Sequence, residues 1–406
     1  MKKILGLALL ATVFTTSAFA SVARLEALGE DQFGSQYIND NRNMFLNAAA
    51  INDHFDFATF EWGDTTKVQN TEVSSATNGP KSQGGIFRKT GDMVYGVYFG
   101  ADSNTASRLR AAGLVSSGGN VAPTLATLVQ NENTLDLFIG GENSWKWGVK
   151  VSHASGNSQQ SGTAPVTGAA YQDYDKSGTL IGLGAESGNN SIYANVGVGN
   201  EFKVRSTLIT GGKYHFKGQI GYQVGYIRSL GEGAKAFVEY QQQDAEEEAI
   251  STLDETQEAQ KLIIGWGKTS KLNDTFTAFY KAVYTSENQK NRGFVSSTED
   301  LEESFLRATF GFEIMVKEWL TLRGSIGNNL MGETTYTDDT RTTTAKKSKT
   351  IADSTEVNLG ATLAFGDFGI DGLIGNDADG KGTPGDDNGQ IRTDSLMSRV
   401  SMTYKF

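Results

Sequence analysis

Residues 398–406 read SRVSMTYKF. Val400, Met402, Tyr404 and Phe406 are apolar; Arg399, Ser401, Thr403 and Lys405 between them are polar. A period of two is that of a β-strand with one face in an apolar medium and the other in water. A half-buried strand of a soluble protein has the same period. The stretch therefore defines a strand and leaves its medium open, and the rest of the chain has to decide.

The opposite end reads MKKILGLALLATVFTTSAFA over residues 1–20. Two lysines, an apolar run and Ala18-Phe19-Ala20 make the pattern of a secretory signal peptide, removed before Ser21. Losing Lys2 and Lys3 takes the formal charge from -11 to -13. So acidic a chain disfavours nucleic acid as a partner. There is no cysteine, which excludes a disulfide framework. No stretch after the signal approaches the roughly 20 apolar residues of a membrane helix. A membrane barrel needs none, because only alternate residues of its strands face lipid. Forty-eight glycines against four prolines suit closely packed strands better than helices.

From residue 55 onward the chain breaks into sixteen alternating runs. They start near residues 55, 83, 92, 133, 144, 178, 190, 213, 234, 258, 274, 304, 319, 355, 367 and 393. Many approach the ~9–11 residues of a tilted membrane strand. The gaps take turns in length. Tight connections such as Thr90-Gly91, Gly188-Asn189 and Gly366 alternate with long ones at 64–82, 101–132, 155–177, 200–212, 244–257, 287–303, 329–354 and 376–392. Short turns on one rim, long loops on the other and an even strand number predict an all-β, antiparallel transmembrane barrel of about 16 strands. Pro80, Pro123, Pro165 and Pro384 all fall in the long gaps, where they delete no ladder hydrogen bond. Trp62, Trp145, Trp319 and Tyr404 stand near run ends, as interface girdles do.

With its terminal Phe406 and Tyr404 two residues before it, the chain resembles Gram-negative outer-membrane porins. The opening SVARLEALG and the segment RNMFLNAAAIND resemble porin-like major outer-membrane proteins of deltaproteobacterial type. The resemblance implies an outer-membrane location. It also implies recognition of Tyr404 and Phe406 by barrel-assembly machinery, a homotrimer in contact with lipid and lipopolysaccharide, and passive diffusion of small hydrophilic solutes and ions. No cofactor and no catalytic residue is expected.

The organisation read from the sequence is a signal peptide (1–20), an N-terminal segment (21–54) and a barrel (55–406). Val22, Leu25 and Leu28 have helical spacing, and NRNMFLNAAAINDHF is helix-compatible. Two readings stay open for residues 21–54. They pack at the periplasmic base of the barrel, or they plug the lumen, as the hatch of long-chain fatty-acid transporters does; Asn47-Ala48-Ala49 faintly resembles that family's motif. A hatch would make the protein a gated transporter of hydrophobic compounds, and a wholly closed lumen would make it a structural surface barrel.

Other candidates lie in the loops and on the wall. The apolar content of 101–132 fits a loop folded inward, with Arg108 and Arg110 at a constriction, or an external lid. Asp377, Asp379, Asp386 and Asp387 stand among glycines as calcium ligands do, or form a solvated acidic loop. By strand parity the lumen wall carries Lys146, Lys150, Lys235, Glu239, Lys281, Arg307, Glu313, Arg323, Asp371 and Arg399 as pore-lining charges. Glu61, Asp136, Glu186 and Glu356 share that parity. Such charges set ion preference in an open pore, or pair with one another and fix the wall.

Overall fold

The computed structural model describes residues 21–63, 82–101, 134–158, 172–206, 213–218, 220–249, 255–293, 297–340, 343–350, 355–376 and 399–406. Residues 1–20, the four prolines, Arg108, Arg110, Asp377, Asp379, Asp386 and Asp387 lie outside them. The described strands are proline-free.

One antiparallel sheet contains β1 (Phe57–Gly63), β2 (Ser82–Thr90), β3 (Met93–Phe99), β4 (Thr134–Glu142), β5 (Lys146–Ser158), β6 (Gln172–Ser187) and β7 (Asn190–Ser206). It continues through β8 (Lys213–Gly218), β9 (Gly221–Gly231), β10 (Ala234–Ala249), β11 (Glu255–Lys271), β12 (Phe276–Gly293), β13 (Ser297–Lys317) and β14 (Leu320–Thr340). It ends with β15 (Thr343–Thr350), β16 (Glu356–Phe365), β17 (Phe368–Asn376) and β18 (Arg399–Lys405). β8 and β9 both lie between β7 and β10, as two halves of one strand. β15 and β16 extend one another along β14 in the same way. Eighteen segments thus make sixteen strands, one for each alternating run. The first and last strands close the barrel, from Phe57↔Lys405 to Gly63↔Arg399. Closure removes the unpaired edges that no bilayer can satisfy.

Alternation sorts the side chains as expected. Phe60, Ile86, Leu137, Leu183, Ile264 and Phe310 point outward and are exposed. In water such a band would be an aggregation surface; in a bilayer it is the lipid face. Trp145 and Trp319 are about half exposed at the rim of tight turns, where an aromatic girdle sits.

The sequence reading is corrected at the opposite rim. Much of what reads as loop at 155–177, 200–212, 244–257, 287–303 and 329–354 is strand. β13 and β14 run 21 residues each, and their pairing continues to Ser297↔Thr340. Beyond the lipid both faces are wet, so a ladder persists without apolar alternation to mark it.

Residues 21–56 precede the first strand. They form a helix α1 (Val22–Ala27), a short helix α2 (Asn43–Leu46) and a 3₁₀ turn (Ala48–Asp53). Asp56, at φ 56°, joins this segment to β1. Its carbonyl accepts from the Phe406 amide at 3.0 Å and its Oδ1 from the Lys89 amide at 3.2 Å.

Candidate functional site

A surface helix is apolar on one stripe. α1 is buried all round: Val22, Ala23, Arg24, Leu25 and Ala27 are each at most 4 % exposed. The helix packs on β14, β16, β17 and β18. The 3₁₀ turn packs on β4, β5 and β6. Residues 21–54 therefore lie against inward-facing side chains of the sheet from two sides of the barrel.

One side of this contact is ionic. Arg24 donates Nε and Nη2 to the two carboxylate oxygens of Glu313 at 2.8 and 2.9 Å. Its Nη1 reaches Asp40 Oδ2 at 2.7 Å and the Asn39 carbonyl at 3.1 Å. Glu313 also pairs with Arg323 at 3.2 Å, and Arg323 with Asp371 at 2.8 Å. Asp40, Arg24, Glu313, Arg323 and Asp371 are thus one chain of alternating charge running from the segment into the wall. Beside it Arg399 pairs with Glu26 at 3.1 Å, and Lys281 holds Glu30 and the Gly29 carbonyl. Buried charges persist only when paired and hydrogen-bonded.

The other side is aromatic. Phe33, Met44, Phe45 and Ile51 of the segment share a core with Phe57, Phe87, Val94, Tyr98 and Phe138 of the wall. The Phe45 ring meets Tyr98 and Phe138 edge-on at 5.0 and 5.2 Å. The Arg42 guanidinium lies 3.9 Å from the Phe45 ring centre, and its Nη1 donates to Tyr98 Oη at 3.0 Å. Lys150 and Asn195 cap the end of α2 from the wall, on the Phe45 and Leu46 carbonyls at 2.7 and 2.9 Å. Two inward glycines make the 3₁₀ turn fit. A Cβ on Gly148 would collide with the Ala48 carbonyl, and one on Gly184 with Asn47.

Most of the wall charges singled out by parity have polar partners in the segment or in the wall. Lys146 binds Asp53, Lys150 the Phe45 carbonyl, and Glu239 accepts from Gln36 at 3.4 Å. Lys281, Glu313 and Arg399 bind the segment as described. Arg323 pairs with Asp371 and Arg307 with Glu356, within the wall. Lys235 projects toward the field of Glu186 and Asp53. The sequence reading missed Arg24, Asp40 and Arg42. Their signal was a run of charges in a stretch otherwise suited to burial.

Of the three histidines, one belongs to the segment and one to the outer face. His54 contacts Asn39 at 3.1 Å and His153 meets Thr179 on the outer face at 2.9 Å; the side chain of His215 lies outside the description. Among the described residues no three His, Cys, Asp or Glu side chains are grouped to hold a metal. No described helix is long and apolar enough to cross a membrane, which says nothing of a barrel.

A pocket of about 610 Å³ lies at the ends of β1–β4 remote from the Gly91–Asp92 turn. Inward Thr59, Gln83 and Thr134 line it together with outward Phe60, Ile86, Phe99 and Leu135. Gly84 and Gly85, consecutive on β2, line it where Thr59, Phe60, Val97 and Tyr98 pack close to their backbone.

No family model and no curated protein matches the chain. Among solved structures it is similar to the toluene transporter TodX of Pseudomonas putida, at 13% identity and a TM-score of 0.36, covering 96% of this chain and 99% of that one. A FadL homologue of Pseudomonas aeruginosa is similar at 12% identity and 0.39, covering 95% and 98%. OmpT, an outer-membrane protein of Vibrio cholerae, is similar at 12% identity and 0.35, covering 86% and 97%. The function has to be argued from the chain's own geometry. That geometry is a closed sixteen-stranded sheet with a lipid-facing apolar band and tight turns along one rim. It is an outer-membrane β-barrel. Within that class it carries its own N-terminal residues against its inner wall.

Proposed function

We propose that the protein is a hatch-gated outer-membrane transporter of small hydrophobic compounds, with residues 21–54 as the hatch. The observation that carries this reading is the seat of that segment on the inner wall. A freely conducting porin needs its wall charges bathed in water, and here six of the ten expected pore-lining charges are engaged by the segment. The hydrophobic solute is supported by the pocket at β1–β4. Its lining Thr134 donates Oγ1 to the carbonyl of Ala101, a member of the aromatic core, and apolar outward residues line it as well. Apolar sites with a few polar groups are the usual form for such ligands. The outward band is the surface for outer-membrane lipid.

The test pairs two readouts on the refolded protein. One is conductance in a planar bilayer; the other is binding of N-phenyl-1-naphthylamine, whose fluorescence rises in apolar sites. The intact protein should bind the dye saturably and conduct little, and deletion of residues 21–54 should give large ohmic steps. Large ohmic steps from the intact protein, without dye binding, would overturn the reading and restore the general porin.

A further inference from the structure

The wall contains a cluster of buried polar atoms without hydrogen-bond partners. Glu61 sits on β1 with 1 % exposure, directly opposite Ser401 on β18 and Gln83 on β2. Side chains opposite one another across neighbouring strands have Cβ atoms about 5 Å apart. Glu61 Oε1, Gln83 Oε1 and Ser401 Oγ are all buried without a hydrogen-bond partner. Three such orphans side by side are unusual, since nearly all buried polar atoms are paired. An unpaired buried carboxylate oxygen is the costliest of them.

One group already touches this cluster. The Val22 amide donates to the other Glu61 oxygen, Oε2, at 3.2 Å. Ser21 precedes it, fully buried, with its Oγ accepting from the Arg24 amide at 3.0 Å to cap α1. Consecutive residues lie about 3.5 Å apart, so the Ser21 nitrogen stands one residue's length from the contact. As a peptide nitrogen it offers one neutral N–H. As a chain terminus it is an ammonium with a charge and three donors. Arg42 contributes to the field here; its Nε and Nη1 donate to the Gln32 carbonyl and Tyr98, and its Nη2 is buried without a partner.

We propose that cleavage of the Ala20–Ser21 bond creates the missing group, and that the Ser21 α-ammonium docks onto Glu61, Gln83 and Ser401. Hydrolysis consumes one water. Ala20 leaves with the new carboxylate, and the freed Ser21 amine takes up a proton. A signal peptidase of the export pathway is the catalyst this needs. Processing then does more than release the chain: it makes the ion pair that seats the hatch. The uncleaved precursor has no charge to place there, so its segment docks more weakly.

The proposal rests on the seat of residues 21–54 and not on the identity of the solute. The test uses mature protein purified from outer membranes. N-terminal sequencing should begin at Ser21. An N-hydroxysuccinimide ester at neutral pH should label the terminal amine at least tenfold more slowly in the folded protein than after unfolding. Glu61→Gln should abolish most of that protection while the barrel keeps its heat-modifiable migration on gels. Should that variant fail to fold, a refolded chain with one glycine added before Ser21 moves the ammonium away and should lose protection equally. A mature terminus elsewhere, an amine that reacts as fast folded as unfolded, or protection unchanged in a folded variant would overturn the proposal. Free conductance with a protected amine would overturn the hatch reading alone; a reactive amine beside saturable dye binding would overturn the ion pair alone.

Discussion

The two flanks of the N-terminal segment hold it by different physics. On the α1 flank Arg24, Glu26 and Glu30 meet Glu313, Arg399 and Lys281. On the α2 flank Phe45 and Ile51 meet Tyr98, Phe138 and Phe87. Burying apolar area drives association, whereas a buried ion pair spends most of its attraction on desolvation. The aromatic flank therefore supplies most of the binding, and the ionic flank fixes where α1 sits. Water or a competing charge releases an ion pair more readily than it releases an aromatic core. The α1 flank is the one suited to open.

The largest effect should come from Arg24→Ala. It leaves Asp40 buried without its cation and Glu313 with Arg323 alone, which costs about 3–5 kcal/mol. Single-channel recordings should show a conducting state populated at least a hundredfold more, with barrel melting unchanged. An unaltered open fraction would break the comparison. Phe45→Ala should cost about 3 kcal/mol through the cavity it leaves among Tyr98 and Phe138. Its penalty should shrink on cooling, as apolar association weakens, while that of Arg24→Ala should not. Recording both variants at two temperatures separates the flanks.

A smaller effect is expected at the glycine seats. Gly148→Ala or Gly184→Ala pushes the 3₁₀ turn off the wall at about 1–3 kcal/mol. Protease access at residues 48–53 should rise while the sheet stays closed.

The smallest effect is on pH. Burial, aided by Lys405, Arg24 and Lys146 and opposed by Asp53, holds the His54 imidazole down at about 4. Burial pushes the Asp40 carboxyl up to about 6, although Arg24 draws it back. The signs oppose. His54 is neutral in the seated segment, so its contribution is whole above pH 6.5 and fades as pH falls toward 4. Asp40 contributes below its ordinary value near 3.8 and loses that contribution as pH rises through 6. Between pH 6 and 4, His54→Asn should make acid tighten the seat and Asp40→Asn should make acid loosen it. The slope of conductance against pH reads both, and equal slopes would remove the assignment.

Much of this was legible in the sequence, and the boundary is physical. Each of the sixteen runs became one strand, because a lipid face and a wet lumen enforce alternation. Parity also placed Lys150, Glu313 and Arg323 inward. It could not tell what they touch: Arg24 meets Glu313 across 289 positions of chain, and no local period records such a contact. Residues 21–54 have no strand period, so their helical spacing fitted a seat in the lumen and a seat at its base equally well. The outer strand ends were read short because polar residues on both faces look like loop. The constriction expected at Arg108 and Arg110 and the calcium loop at Asp377, Asp379, Asp386 and Asp387 lie outside the described residues.

Asp56 has a consequence for how the N-terminal segment moves. It joins the segment to β1 and is fastened there by the Phe406 and Lys89 amides. The segment is therefore a ligand tied to its own receptor. Release never becomes loss, because a short tether keeps the free end at an effective concentration on the order of millimolar. Seating then needs only modest intrinsic affinity, and opening becomes a matter of dwell time. For the transporter proposed above, a solute would have only to occupy the site during one excursion, and the tether would return the segment once the solute had passed.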